Sequence, residues 1–287
     1  MVFPNLTTIK VRGTRFIMEL LSHDMVRTKK PLKILHIINN DFSGISLHNR
    51  DKVIEATTVT ADLAVNAEVD FSGNRLPVTK NAIIHFAAIR NCRFLSLRDD
   101  EFQDYVSTSY IFQNFTYLET LDLSNTFMLK SPGSFAGLPK LRKLLLAGND
   151  FEDLTFANIF EGSKSINLEE LDISYNGLTF LPKGLKNIVP SLRRLRLAGN
   201  KLNLEKVGYF INYVQSQQFT AFPKLQLLDL SRNKLETFAG SMLSHVLTLE
   251  TLNLGCNYFR NIHKGFFSDL PQSLRVLNLS MCYNLTK

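Results

Sequence analysis

The sequence predicts an α/β repeat solenoid, with a parallel β-sheet on its concave side and loops and short helices on its convex side. Three observations predict it. A leucine-spaced motif recurs in one register along the chain, polar residues hold fixed slots within the motif, and stretches of unequal length separate its copies. The 287 residues are 45% hydrophobic, which supplies ample core and argues against disorder.

Five copies are close to ideal: LRKLLLAGNDF from Leu141, LEELDISYNGL from Leu168, LRRLRLAGNKL from Leu192, LQLLDLSRNKL from Leu225 and LETLNLGCNYF from Leu249. Six looser copies share the frame: LTTIKVRGTRF from Leu6, LKILHIINNDF from Leu32, NAEVDFSGNRL from Asn66, CRFLSLRDDEF from Cys92, LETLDLSNTFM from Leu118 and LRVLNLSMCYN from Leu274. These 11 starts place a single solenoid over residues 1–287. The frame, L-x-x-L-x-L-x-x-N-x-L, is that of the leucine-rich repeat.

Each slot has a physical reason. Side chains one, four and six of the frame point inward, and those between them point outward along a short strand. One repeat cannot bury its apolar face alone, so parallel stacking of neighbours closes the core. The ninth residue sits where the chain leaves the strand, and an amide there both donates to and accepts from neighbouring turns. Asn40, Asn74, Asn149, Asn176, Asn200, Asn233 and Asn257 hold that slot and are expected to form a structural ladder. Cys282 takes the same slot in the last copy, and Cys92 takes a leucine slot as a small buried hydrophobe.

Steps between starts run 26, 34, 26, 26, 23, 27, 24, 33, 24 and 25 residues. Extra residues must bulge outside the strands, because the register cannot absorb them. The 34-residue step holds GISLHNRDKVIEATTVT, expected as a projecting loop. In the 33-residue step Val207, Phe210, Ile211 and Val214 recur at helical spacing, which predicts a short convex helix.

Catalysis finds no support. The six His residues and three Cys residues show no metal-ligand spacing. Neither a G-x-S-x-G elbow nor a phosphate-binding G-x-x-x-x-G-K-[ST] loop occurs, and no cofactor is implied. No run approaches the roughly 18 apolar residues that cross a bilayer, and the first residues lack the form of a signal peptide. The chain also lacks capping repeats, so it is expected to be a fragment whose terminal repeats fray before the central ones.

A Phe recurs about six residues before the next start, at Phe112 in IFQNFTYL, Phe135 in SFAGLPKL, Phe219 in FTAFPKL and Phe267 in FFSDLPQSL. With the uneven steps of 23 to 34 residues, this pattern resembles the ectodomains of Toll-like receptors and related animal cell-surface proteins. The resemblance implies a protein or a microbial-pattern molecule as partner, and a receptor dimer in the full-length protein. It also implies innate immune signalling from the extracellular side of the plasma membrane or from an endosome. N-glycosylation is implied at the sequons Asn5, Asn114, Asn278 and Asn284. A non-receptor interaction protein, in cell adhesion, matrix or a cytosolic scaffold, is the alternative.

The binding surface is expected on the outward strand positions. The net charge of +7 permits an acidic partner, and Lys143, Arg193, Arg194 and Arg196 form its candidate anion site. Acidic repeats flank them. Glu119, Arg142, Glu169 and Arg193 alternate in one register, Glu170 and Arg194 in the next, and Asp172, Arg196 and Asp229 in a third. A cross-strand charge ladder is therefore the favoured reading of these residues, and nucleic acid is not favoured as ligand.

Overall fold

A computed structural model describes residues 2–3, 5–13, 27–28, 30–40, 63–74, 89–100, 112, 114–126, 135–151, 167–179, 185, 188, 190–203, 222–238, 240–262 and 264–283. The expected projecting loop, the expected convex helix and the sequon at Asn284 lie outside these residues. The chain divides into two compact units, Met1–Leu144 and Leu145–Lys287.

In the first unit, strands β1 (Val2–Phe3) and β3 (Arg27–Thr28) pair with each other in parallel. Strands β2 (Thr8–Arg12), β4 (Leu32–Ile38), β5 (Leu63–Asp70), β6 (Phe94–Ser96) and β7 (Thr120–Asp122) form a parallel sheet in chain order. Strand β8 (Lys143–Leu145) spans the division between the units. In the second unit β9 (Glu170–Asp172), β10 (Arg194–Arg196), β11 (Leu227–Asp229), β12 (Thr251–Asn253) and β13 (Val276–Asn278) again pair in parallel and in order. Both units are parallel-strand solenoids, in which each repeat gives one strand to the stacked series and β1 and β3 pair apart from it.

The register keeps equivalent frame positions side by side, as in Leu171, Leu195, Leu228 and Leu252, which are neighbours in successive strands. Their side chains and those of Leu168, Leu192, Leu225 and Leu249 are buried. Short 3-10 turns at Phe135–Gly137 and Gly240–Leu243 return the chain towards the next strand. Phe112, Phe115 and Phe135 fill the space behind the first unit's strands, with ring centroids 5.6 and 6.5 Å from Phe112.

One expectation is corrected, and two further features of the repeats emerge. Asn66 does not lead its repeat: it is exposed, with φ of 70°, and Leu63 pairs with Leu32 in its place. The register shifts between Leu32 and Ile34, so Ile34 meets Glu68 and the surplus residues of β5 bulge outward, leaving Val65 55% exposed. Phe267 is 61% exposed, and its neighbour Phe266 is the ring that packs inside. Asp100 and Thr126 take the ninth slot in the repeats from Cys92 and Leu118, both fully buried.

The eighth residue of every frame is left-handed. Gly13, Asn39, Gly73, Asp99, Asn125, Gly148, Tyr175, Gly199, Arg232, Cys256 and Met281 all have φ between 52° and 72°. This conformation turns the chain out of the strand and aims the residue's N–H at the next repeat. Tyr175 donates to the Ala198 carbonyl at 2.6 Å, Gly199 to Ser231 at 3.0 Å and Arg232 to Gly255 at 2.9 Å. Only glycine adopts such a φ without steric cost, so seven of these positions are held by the surrounding repeats.

Candidate ligand-binding surface

Behind the strands, the ninth-slot amides join successive repeats. The Asn200 Oδ1 accepts from the Asn176 and Leu178 amides, each at 3.2 Å, and its Nδ2 donates to the Ile173 and Leu197 carbonyls, each at 3.0 Å. Asn176, Asn233 and Asn257 repeat this arrangement, and Asn149 enters it by donating its backbone N–H to Asn176 Oδ1. In the first unit the Asn40 N–H donates to Asn74 Oδ1 at 2.9 Å, and Asn74 Nδ2 donates to the Ile37 carbonyl at 2.6 Å. Cys282 contributes two long contacts from Sγ, to the Leu254 and Ser280 carbonyls, each at 3.7 Å. All of these groups are buried, so their place in the molecule is structural.

A second recurring bond involves the fifth position. Asp70, Asp122, Asp172 and Asp229 each accept, through Oδ1, from the backbone N–H two residues on, at 2.9 to 3.0 Å. Asn253 and Asn278 do the same at 3.2 and 2.9 Å. Such a local turn satisfies the second N–H after the strand, the first being bonded to the next repeat, as Ile173 N–H is to the Arg196 carbonyl. Sequence reasoning read Asp172 and Asp229 as rungs of a charge ladder and missed this role, although the recurring D-x-S spacing carries it.

Burial raises the Asp122 carboxyl above its ordinary value, with Asp70 adding to the effect; the Ser124 amide and Arg98 oppose it. A raised carboxyl binds its proton in the folded state first. Stability therefore falls as pH rises from the ordinary carboxylate value through the raised one. Asn253 shows that an amide fits this slot. Asp122→Asn should accordingly raise the melting temperature at neutral pH, with the advantage vanishing once the wild-type group is protonated in both states. Paired thermal melts across the acidic range check this. Burial likewise pushes the Cys92 thiol up to about 12, as suits a thiol enclosed in the core.

On the strand face, acids pair with two of the four cations of the expected anion site. Arg193 Nε lies 3.7 Å from Glu169 Oε2, and Arg196 pairs with Glu170, one repeat back and diagonal to its register neighbour Asp172. Arg93 pairs with Glu68 at 3.4 Å and Arg275 with Glu250 at 3.9 Å by the same one-repeat step. A double-mutant cycle on Arg193 and Glu169 should give a coupling of about 0.3–1 kcal/mol. The less exposed Arg196–Glu170 pair should couple more strongly and resist salt better. Equal couplings in urea titrations would contradict that order.

Arg194 is exposed and, with Lys201, Arg232 and Lys234, forms no ion pair among the described residues. The last three lie on the loops that leave the strands, at frame positions eight and ten. Backbone bonds hold these loops in step: Lys201 N–H to the Leu178 carbonyl at 2.8 Å, and Lys234 N–H to that of Leu202 at 3.0 Å. Tyr175 and Tyr258, 57% and 51% exposed, stand on the same edge of the second unit. The Tyr175 ring lies over Gly199, where a Cβ would come within 2.5 Å of it. Three of these four cations thus lie beside the strand face; Lys143 is half-buried at β8.

Among the other predicted sites, Asn5 and Asn114 are exposed in turns. Asn278 is half-buried on β13, with its Oδ1 engaged by the Ser280 amide. Among the described residues no group of three His, Cys, Asp or Glu side chains is placed to hold a metal ion, and no helix is long and apolar enough to cross a membrane.

Comparison with known proteins agrees with this geometry. Residues 88–151 and 167–188 match two leucine-rich-repeat family models. The chain is 34% identical to human Toll-like receptor 8 over 149 residues, 49% of this chain and 13% of that receptor. To human CD180 antigen it is 32% identical over 211 residues, 64% of this chain and 30% of the antigen. Human lumican matches at 34% over 146 residues, 50% of this chain and 39% of lumican, so the likeness is not confined to Toll-like proteins. The chain thus spans well under half the length of these relatives. A leucine-rich-repeat protein of Leptospira interrogans shares the fold, with a TM-score of 0.62 at 22% identity over 94% of this chain and 64% of its own. The chain is therefore a leucine-rich-repeat solenoid, and its repeats are similar to those of Toll-like receptor 8 and CD180.

Proposed function

We propose that this segment is part of the ligand-binding ectodomain of a Toll-like pattern-recognition receptor, acting in innate immune signalling from the cell surface or an endosome. The identity to Toll-like receptor 8 carries the reading, and the similarity to CD180 over 64% of the chain supports it. Its 287 residues form one continuous solenoid in this reading, with glycans at Asn5 and Asn114 and dimerisation left to the full-length receptor. Lys201, Arg232 and Lys234 contact an anionic ligand, with Tyr175 and Tyr258 as the flat, apolar part of the contact. Arg194 extends this surface onto the strand face. Arg193 and Arg196 serve the fold through their glutamate partners.

The likeness to lumican favours a second reading, a repeat protein of the extracellular matrix. One binding experiment separates the two. The secreted chain is titrated against lipopolysaccharide, lipoteichoic acid, single-stranded RNA and fibrillar collagen, at low and high salt. Saturable, salt-sensitive binding to a microbial class, lost in Arg232→Glu/Lys234→Glu with the melting temperature unchanged, is the expected result. Binding to collagen alone would replace the receptor reading with the matrix one. Binding that survives the double variant would remove the loop-edge site.

A further inference from the structure

The sequence contains one Asn-Gly pair, Asn176–Gly177. In a flexible chain this is the dipeptide that closes most readily to a cyclic imide, because glycine puts no side chain in the way of the attack. The Gly177 amide nitrogen gives its proton to base and attacks Cγ of Asn176. The bond from Cγ to Nδ2 breaks, and ammonia leaves carrying a returned proton. Water then opens the imide to aspartate or to isoaspartate, in which the backbone runs through the former side chain.

The fold holds every reacting atom away from this path. Asn176 is 7% exposed. Its Oδ1 accepts from the Asn149 and Phe151 amides, each at 3.0 Å. Its Nδ2, the leaving group, donates to the carbonyls of Leu146 at 3.1 Å and of Ile173 and Ser174 at 3.0 Å. The attacking nitrogen of Gly177 is itself committed, donating to the Phe151 carbonyl at 2.7 Å. Closure of the imide requires the repeat from Leu168 to separate from its neighbour.

We propose that Asn176–Gly177 is a latent deamidation site, closed by the asparagine ladder and opened only by local unfolding of the repeats around it. The product re-enters the ladder only at a cost, although Asp100 shows that one repeat of the first unit buries a carboxyl in the equivalent slot. A carboxylate in this slot has no hydrogen for the three carbonyls that Nδ2 served, and isoaspartate adds a backbone carbon to a turn whose register is fixed on both sides. The modification is thus a one-way record that the repeat has been open, independent of any ligand the chain takes.

The test incubates the full chain in mildly alkaline buffer, folded in one arm and in concentrated urea in the other, and follows the Asn176 peptide by mass spectrometry. Deamidation is expected at least about a hundredfold slower in the folded arm, as the small population of open repeats dictates. Equal rates in the two arms would overturn the protection. Chains aged in urea are then separated by ion exchange and refolded. Deamidated chains should refold with a lowered melting temperature or fail to refold, while intact chains from the same sample recover fully. Recovery of both to the same melting temperature would overturn the one-way character. Gly177→Ala should slow the reaction in urea, locating the chemistry at this pair.

Discussion

Asn200→Ala should destabilise the second unit by about 2–4 kcal/mol, because two buried N–H groups lose their acceptor while two buried carbonyls keep only one donor each, from Asn176 and Asn233. Those partners are the Asn176 and Leu178 amides and the Ile173 and Leu197 carbonyls. No neighbouring side chain occupies the same slot, and water does not reach it, since Asn200 is buried. Urea denaturation followed by circular dichroism measures the loss. A cost under about 1 kcal/mol would mean that the turns hold themselves without the amide. Asn200→Cys should fall between alanine and wild type, as Cys282 keeps this slot with only weak sulfur contacts.

Phe112→Ala should cost about 3–5 kcal/mol in the first unit, through lost burial and the cavity left between its neighbours. The ring is 2% exposed, packs edge-to-face on Phe115 and stacks on Phe135 with an interplanar angle of 27°. The neighbours arrive on separate turns, so the site cannot collapse without moving two repeats. Calorimetry reads the effect as a lowered melting temperature. Phe267→Ala serves as the contrast: its ring is mostly exposed, and the loss should stay within about 1 kcal/mol. Equal losses at the two sites would contradict the packing described.

The leucines and the ladder asparagines were legible in the sequence because both recur at fixed offsets from one another. Period carries that information. What the period does not carry was misread or missed. Asn66 matches the frame by position, yet the buried lead is Leu63, since a bulge adds residues without changing the letters that follow. The adjacent Phe266 and Phe267 are alike in composition, and only the path of the turn decides which ring goes inside. The fifth-position aspartates look like surface charges, but their bonds run to their own backbone. The choice of salt-bridge partner depends on side-chain reach, so Arg196 meets Glu170 while Asp172 caps its own turn.

The left-handed eighth position separates two kinds of constraint that coincide elsewhere in the repeat. At a leucine slot the fold dictates both conformation and identity. At the eighth position it dictates conformation alone, and residues as different as Tyr175, Arg232, Cys256 and Met281 accept it. Each non-glycine residue there carries a conformational cost of order 1 kcal/mol or more, shared among repeats already fastened on both sides. Within that tolerance side chains can be exchanged while the backbone path stays fixed. A row of such positions, one to a repeat along a single edge, can acquire new recognition chemistry by single substitutions while the scaffold beneath goes unchanged.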